Sequence, residues 1–153
     1  MNALELLKTD HQTVADLFEK AEAAKGSEQQ RIFEKINTEL EIHAHIEETI
    51  FYPRLREEGD EELNDIVKEG LEEHHQVKMF LRELSGLADN SEKFEPKLKV
   101  LMEDVEHHVE EEEGEMFPLV EAQFDAAVLD ELGADMEAEK VKFARSLSAS
   151  AGR

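Results

Sequence analysis

Two segments of this chain, 65 residues apart, repeat one phrase. The first is His43-Ala-His-Ile-Glu47-Glu-Thr-Ile-Phe-Tyr-Pro53, and the second is His108-Val-Glu-Glu-Glu112-Glu-Gly-Glu-Met-Phe-Pro118. In each, a Glu follows a His by four residues and an aromatic-Pro pair closes the phrase. One more His precedes each copy in a matching setting, Asp10-His11-x-x-Val14 and Glu73-His74-x-x-Val77, offset by 63. The chain is two related halves, each offering a His and then a His-x-x-x-Glu. On a helix, a four-residue step sets both side chains on one face about one turn apart, so an imidazole and a carboxylate reach the same point.

The surrounding sequence is helical in pattern. Apolar residues recur at alternating steps of three and four in four long stretches. The first, about 3–24, carries Leu4, Leu7, His11, Val14 and Phe18 on one stripe. The second, about 27–57, carries Phe33, Ile36, Leu40, His43, Glu47 and Ile50. The third, about 61–87, carries Leu63, Val67, Gly70, His74, Val77, Leu81 and Leu84. The fourth, about 92–122, carries Leu98, Leu101, Val105, His108, Glu112, Met116 and Leu119. Asn2 with Glu5 and Ser27 with Gln30 read as capping boxes, and Asp60 as an N-cap. Pro96 is tolerated in a first turn, and Pro53 is expected to bend the end of the second helix. The connections at Lys25-Gly26, at Gly59 and at 89–91 are short, so neighbours run antiparallel.

The expected fold is all-α: an up-down-up-down antiparallel four-helix bundle over 1–122 with an extra C-terminal helix over 123–147. That fifth stretch is weaker and interrupted by Gly133, with Leu129, Leu132, Met136, Lys140, Phe143 and Leu147 on one side. It reads as a cap on the bundle or a homodimer contact. Residues 148–153 read as a frayed tail.

About a quarter of the residues are acidic, so an acid four residues after a His arises often by chance. Three of the seven His have one: His43, His107 and His108. Position separates them. His11, His43, His74 and His108 fall mid-stripe, where the period demands an apolar residue, and so do Glu47 and Glu112. His45, His75 and His107 lie off the stripes and read as surface or supporting residues, while Glu48, Glu111 and Glu113 read as solvated. A buried unpaired carboxylate costs several kcal/mol. Two such Glu and four His at one level of a bundle call for a cation. The alternative is a metal-free hydrogen-bonded layer, with two carboxylates facing each other and no Lys or Arg in those stripes to neutralise them. Imidazole with carboxylate suits iron or manganese, and zinc accepts the same donors.

Composition narrows the classes. Seventeen basic against 39 acidic residues give a net charge of −22, which repels phosphate backbones and anionic membranes. The absence of Cys removes disulfides, thiolate metal sites and iron–sulfur clusters. No run reaches the roughly 20 apolar residues of a membrane span. The N-terminus MNALELLKTDH lacks the marks of a signal peptide, so a cytoplasmic location is expected.

The order His, His-x-x-x-Glu, His, His-x-x-x-Glu, with aromatic-Pro after each pair, resembles the haemerythrin-like HHE cation-binding domain family. The resemblance covers about residues 3–122. It implies a four-helix bundle around a non-haem di-iron centre, with His11, His43, Glu47, His74, His108 and Glu112 as metal ligands. Oxygen-carrying haemerythrins have a further His one turn after the third-helix ligand, and here that position is Lys78. Six protein ligands for two ions leave more positions open, which favours peroxide or nitric oxide chemistry, or sensing, over oxygen carriage. The expected function is binding of O2, NO or peroxide at the metal pair. Enzymatic decomposition of hydrogen peroxide, and an iron store or donor for iron-centre repair, stand as alternatives. No signalling partner is legible.

Overall fold

The computed structural model describes residues 1–88 and 90–151. Every regular element among them is helical. Helix α1 spans Ala3–Ala23, and α2 spans Gly26–Ile46. A π-turn over Glu47–Phe51 joins α2 to α3, Tyr52–Glu58, in one rod. Helix α4 spans Glu61–Ser85. Helix α5, Phe94–Glu111, continues through a second π-turn, Glu112–Met116, into α6, Phe117–Gln123. Helix α7 spans Ala126–Ala151.

Local chemistry sets most of these ends. Asn2 and Glu5 form the expected capping box, with the Glu5 amide donating to Asn2 Oδ1 at 2.9 Å. Asp60 caps α4 by accepting from the Leu63 amide at 2.9 Å. The box expected at Ser27 does not form. Helix α2 starts one residue earlier, after Lys25, and its end has no side-chain cap.

The two π-turns are where the sequence pattern misleads. Pro53 and Pro118 have no N–H to donate, and the helix ahead of each loosens by one residue. The Tyr52 amide bonds the Glu47 carbonyl, and the Phe117 amide bonds that of Glu112. One added residue rotates the downstream turns by about 100°. Phe51, Tyr52 and Leu55 therefore take the core positions, and Ile50 of the expected stripe is only half-buried. Likewise Phe117 and Val120 are buried, while Leu119 is half-buried. The bend expected at Pro53 is thus a π-turn, and it starts at the motif Glu in both halves.

Helix α1 packs on α2, α2 on α4, α4 on α5, and α5 on α1, closing a four-rod ring. Its interior is two apolar cores with a polar layer between them. One core holds Leu7, Phe51, Leu55, Leu63 and Val120, and the other holds Phe18, Phe33, Ile36, Leu84 and Leu101. Each such side chain, fully buried, contributes about 1.5–3 kcal/mol. Helix α7 lies against α1 and α2 and joins the first core through Leu129, Leu132 and Met136. It runs unbroken through Gly133. A Cβ there would collide with the Met1 carbonyl and stand 2.8 Å from the Asn2 carbonyl carbon, so this glycine lets the helix meet the N-terminal chain. The expected frayed tail is helical from Ser148 to Ala151; its last two residues, and Asp89 of the third loop, lie outside the described residues. No helix among the described residues is long and apolar enough to cross a membrane.

Candidate metal centre

The polar layer is made of the six motif residues. His11 comes from α1, His43 from the last turn of α2, Glu47 from the first π-turn, His74 from α4, His108 from the last turn of α5, and Glu112 from the second π-turn. All six are buried, with Glu47 at 0% and Glu112 at 1% exposure. Ligand-capable atoms of Glu47, His74, His108 and Glu112 lie within 4.8 Å of one another, and so do those of His11, His43 and Glu112. Glu112 belongs to both groups. Nε2 of His11 is 3.0 Å from Glu112 Oε1, and Nε2 of His74 is 3.0 Å from Glu47 Oε1. Nε2 of His43 is 3.2 Å from Glu47, and Nε2 of His108 is 3.3 Å from Glu112.

A second set of carboxylates stands behind the imidazoles. Nδ1 of His11 lies 2.6 Å from Glu113, that of His43 3.1 Å from Asp10, that of His74 2.8 Å from Glu48, and that of His108 2.6 Å from Glu73. With a carboxylate opposite each Nδ1, each ring donates from that nitrogen and turns Nε2 inward. This is how proteins fix the tautomer and orientation of metal-binding His. Sequence reasoning missed all four. Glu48 and Glu113 read as solvated because a helical wheel reports only a residue's own axis; here the adjacent helix brings a His to them. The signal was in the repeat: Asp10 and Glu73 each precede a motif His, and Glu48 and Glu113 each follow a motif Glu. The off-stripe His behave as expected. His75 and His107 are exposed, and His45 is half-buried against α7.

The titration of these groups reports the same crowding. Burial pulls the His43 imidazole down, but the Glu47 charge and the Asp10 hydrogen bond outweigh it and raise the pKa to about 10. Burial likewise opposes His108, yet the carboxylates of Glu112 and Glu73 beside it raise it to about 11. Burial lifts the Glu112 carboxyl, and Glu47, His108 and His11 around it drive it well below the usual range. Burial also lifts Asp10, and His43 with Lys140 brings it below its ordinary value. Tyr52 is held well above 10 by burial and by the charges of Glu112 and Glu47, so its phenol stays protonated. It donates to Glu112 Oε2 at 2.5 Å.

The donor set fits a metal. Nε2 of His43, Nε2 of His108 and Oε2 of Glu47 are buried and make no hydrogen bond, although the two nitrogens have carboxylate oxygens within 3.3 Å. Close approach without hydrogen-bond geometry means that these atoms face a shared point rather than one another. Buried polar atoms left this way are costly unless something else binds them. Nitrogen and oxygen donors on facing helices are how bundles hold metal pairs.

The model of the Hemerythrin HHE cation binding domain matches residues 2–120. The chain belongs to this family. A solved hemerythrin HHE cation binding domain-containing protein of Mycobacterium kansasii superposes with a TM-score of 0.83 at 28% identity, over 95% of this chain and 89% of that one. An uncharacterized Mycobacterium tuberculosis protein is 31% identical over 90% of this chain and 84% of its own length. A DNA nickase of Nostoc is 25% identical over 99% of this chain, which spans 42% of it. An uncharacterized hemerythrin-like protein of Schizosaccharomyces pombe is 32% identical over 54% of this chain, and the match spans 41% of it.

Within this HHE domain, Lys78 does not face the centre. Its ammonium turns aside to Glu48 Oε1 at 2.8 Å, the same carboxylate that holds His74. Above the four imidazoles lies a cavity of about 40 Å³, bordered by Val14, Leu40, Val77 and other apolar residues and by the side chains of Glu41 and Lys78. That is room for one or two water-sized molecules.

Proposed function

We propose that this HHE domain holds two iron ions in the polar layer and binds a small oxidant, O2, NO or hydrogen peroxide, beside them. The cavity over the imidazoles carries the reading. At about 40 Å³ it suits a molecule of two to four atoms. The residues would hold the ions as two groups sharing Glu112, with His11 and His43 in one and Glu47, His74 and His108 in the other. Iron bound there supplies one-electron redox changes and positions open to a small ligand; manganese and zinc suit the same donors.

The chain's own residues do the rest. Asp10, Glu48, Glu73 and Glu113 fix the imidazoles, which lowers the reorganisation needed when a metal or its ligand changes. The aliphatic ceiling keeps water from the reacting atoms. Tyr52 supports a second reading, peroxide decomposition, because it keeps a phenolic proton 2.5 Å from Glu112 and within the buried layer. DNA cleavage, named for the longer Nostoc relative, gains no support from a chain of charge −22, which repels a polyanion.

The test is iron per chain after anaerobic reconstitution with ferrous iron and desalting. A value near two is expected, followed by a reversible optical change with O2 or NO. A value near zero overturns the proposal and leaves a hydrogen-bonded polar layer. Sustained peroxide consumption, lost in His43→Ala, selects the second reading over the first.

A further inference from the structure

Helix α7 lies beyond residues 2–120, which the family model matches, yet it reaches the metal centre. Its buried stripe runs Leu129, Leu132 and Met136, and the next position on that stripe is a cation, Lys140. The Lys140 ammonium pairs with Asp10 Oδ1, while Asp10 Oδ2 accepts from His43 Nδ1 at 3.1 Å. The Asp10 side chain is 5% exposed, so Lys140 and His43 are what balance its charge. The same helix grips α2 again beside the centre. Glu139 meets Nε2 of His45 at 3.1 Å, and Phe143 stacks on the His45 ring with centroids 3.8 Å apart and planes 7° from parallel. His45 lies two residues from both His43 and Glu47.

We propose that Lys140 is a positioning residue of the metal centre: it fixes Asp10, Asp10 fixes the His43 ring, and the docking of α7 thereby sets how firmly the His11–His43–Glu112 group holds its ion. The inference rests on the metal pair proposed above. Helix α7 is then neither a bystander nor only a cover for the apolar core; it is a fifth wall of the site. The second half has a similar chain of contacts, Lys78 to Glu48 to His74, but there the cation comes from α4 inside the bundle. Loss of the Lys140–Asp10 contact would therefore act first on the ion held by His11 and His43.

The experiment uses the full chain loaded anaerobically with ferrous iron, and follows iron release to a bipyridine chelator. The variants are K140M, K140R, D10N, the D10N/K140M pair, and K142M as a control at an exposed α7 position. Wild type is expected to start near two ions and release them slowly. K140M is expected to release one of them about tenfold faster, within the range that supporting residues of metal-bound His show. K140R restores the slow rate, K142M leaves it unchanged, and K140M adds nothing to D10N. Release of both ions at the wild-type rate from K140M overturns the inference, as does multiplication of the two effects in the pair. If K140M loses its helical circular dichroism, Phe143→Ala decides instead: it undocks the same stretch of α7, and an unchanged release rate there overturns the inference. Iron near zero in wild type is a different failure, that of the metal pair itself.

Discussion

The two halves of this bundle are built to one plan and differ in three places. In both, the motif Glu opens a π-turn, the residue before the upstream His holds a His of the neighbouring motif, and the residue after the motif Glu holds the upstream His of the opposite half. The first difference is the aromatic before the proline. In the first half it is Tyr52, whose phenol reaches Glu112; in the second it is Phe117, which stacks on His11 with planes 6° apart. The second difference answers the first. The residue 63 positions before Gly70 is Leu7, and the glycine keeps the backbone clear of the phenol: a Cβ at Gly70 would stand 3.2 Å from the Tyr52 oxygen. The third is the cation behind each upstream-residue carboxylate. Asp10 has Lys140, whereas Glu73 has the like-charged Glu111 beside it, whose pKa is raised chiefly by its hydrogen bond with Glu73. A duplicated scaffold thus carries an asymmetric centre. The asymmetry lies in what surrounds the six candidate ligands and in Glu112, which alone belongs to both groups of donors.

The largest way to break the comparison is to remove the residue that belongs to both groups. Glu112→Gln is expected to bring iron below one ion per chain, while Glu47→Gln, which is grouped with His74 and His108 and reaches only His43 of the other group, leaves about one. Equal losses in metal analysis would mean that the halves do not share Glu112 as the geometry has it.

Next comes pH, read on metal-free protein. His43 and His108 have folded pKa values of about 10 and 11 against 6.5 unfolded. A raised pKa means that the folded state binds the proton more tightly, so this stabilisation is complete below pH 6.5 and fades as pH rises toward 10–11. Glu48, lowered from 4.5 to about 2 by bonds to His74 and Lys78 against the pull of burial, contributes in the opposite sense. Its share is complete above pH 4.5 and is lost as pH falls toward 2. Urea unfolding of the metal-free chain should be hardest between about pH 4.5 and 6.5 and progressively easier above. Stability that climbs steadily from pH 7 to 9 would contradict the protonated pair.

The tyrosine–glycine difference gives a smaller, sharper test. Tyr52→Phe strips a buried carboxylate of a donor and should cost about 1.5–3 kcal/mol in metal-free stability. Phe117→Tyr adds a hydroxyl to a fully buried ring and should cost about 1–3 kcal/mol by overpacking. Gly70→Ala sets a helix-propensity gain of about 1 kcal/mol against a Cβ 3.2 Å from the phenol oxygen, and its effect on stability should become more favourable in the Tyr52→Phe background, where the oxygen is gone. Additive effects would show that Gly70 does not exist for the phenol. Smallest is Lys78→Met. Its side chain is 45% exposed, and a pair that wet contributes about 0–1 kcal/mol, so the thermal midpoint should barely move.

Much of this was legible in the chain. The doubled phrase, its phase on the apolar stripes and the buried position of each motif His and Glu follow from helix periodicity, which acts within a few residues. Gly70 was visible as a glycine on the buried stripe one turn before His74, though not the phenol beside it. The π-turns were not legible, because they depend on where the amides ahead of Pro53 and Pro118 find acceptors, and the stripe pattern beyond them shifted by one residue as a result. Asp10, Glu48, Glu73 and Glu113 were equally hidden. Each lies at the margin of its own helical face, and only the helix across the seam gives it a His to hold.

By itself, then, the sequence determined the helices, their buried faces, the pairing of halves and the six side chains that meet in the polar layer, because each depends on spacing along one helix. Tertiary structure alone decided which carboxylate orients which imidazole, that Tyr52 and not Phe117 reaches Glu112, and that α7 brings Lys140 to Asp10. Those are contacts between residues 26 to 130 positions apart. They form only when separate helices pack, and no local period along the chain encodes them.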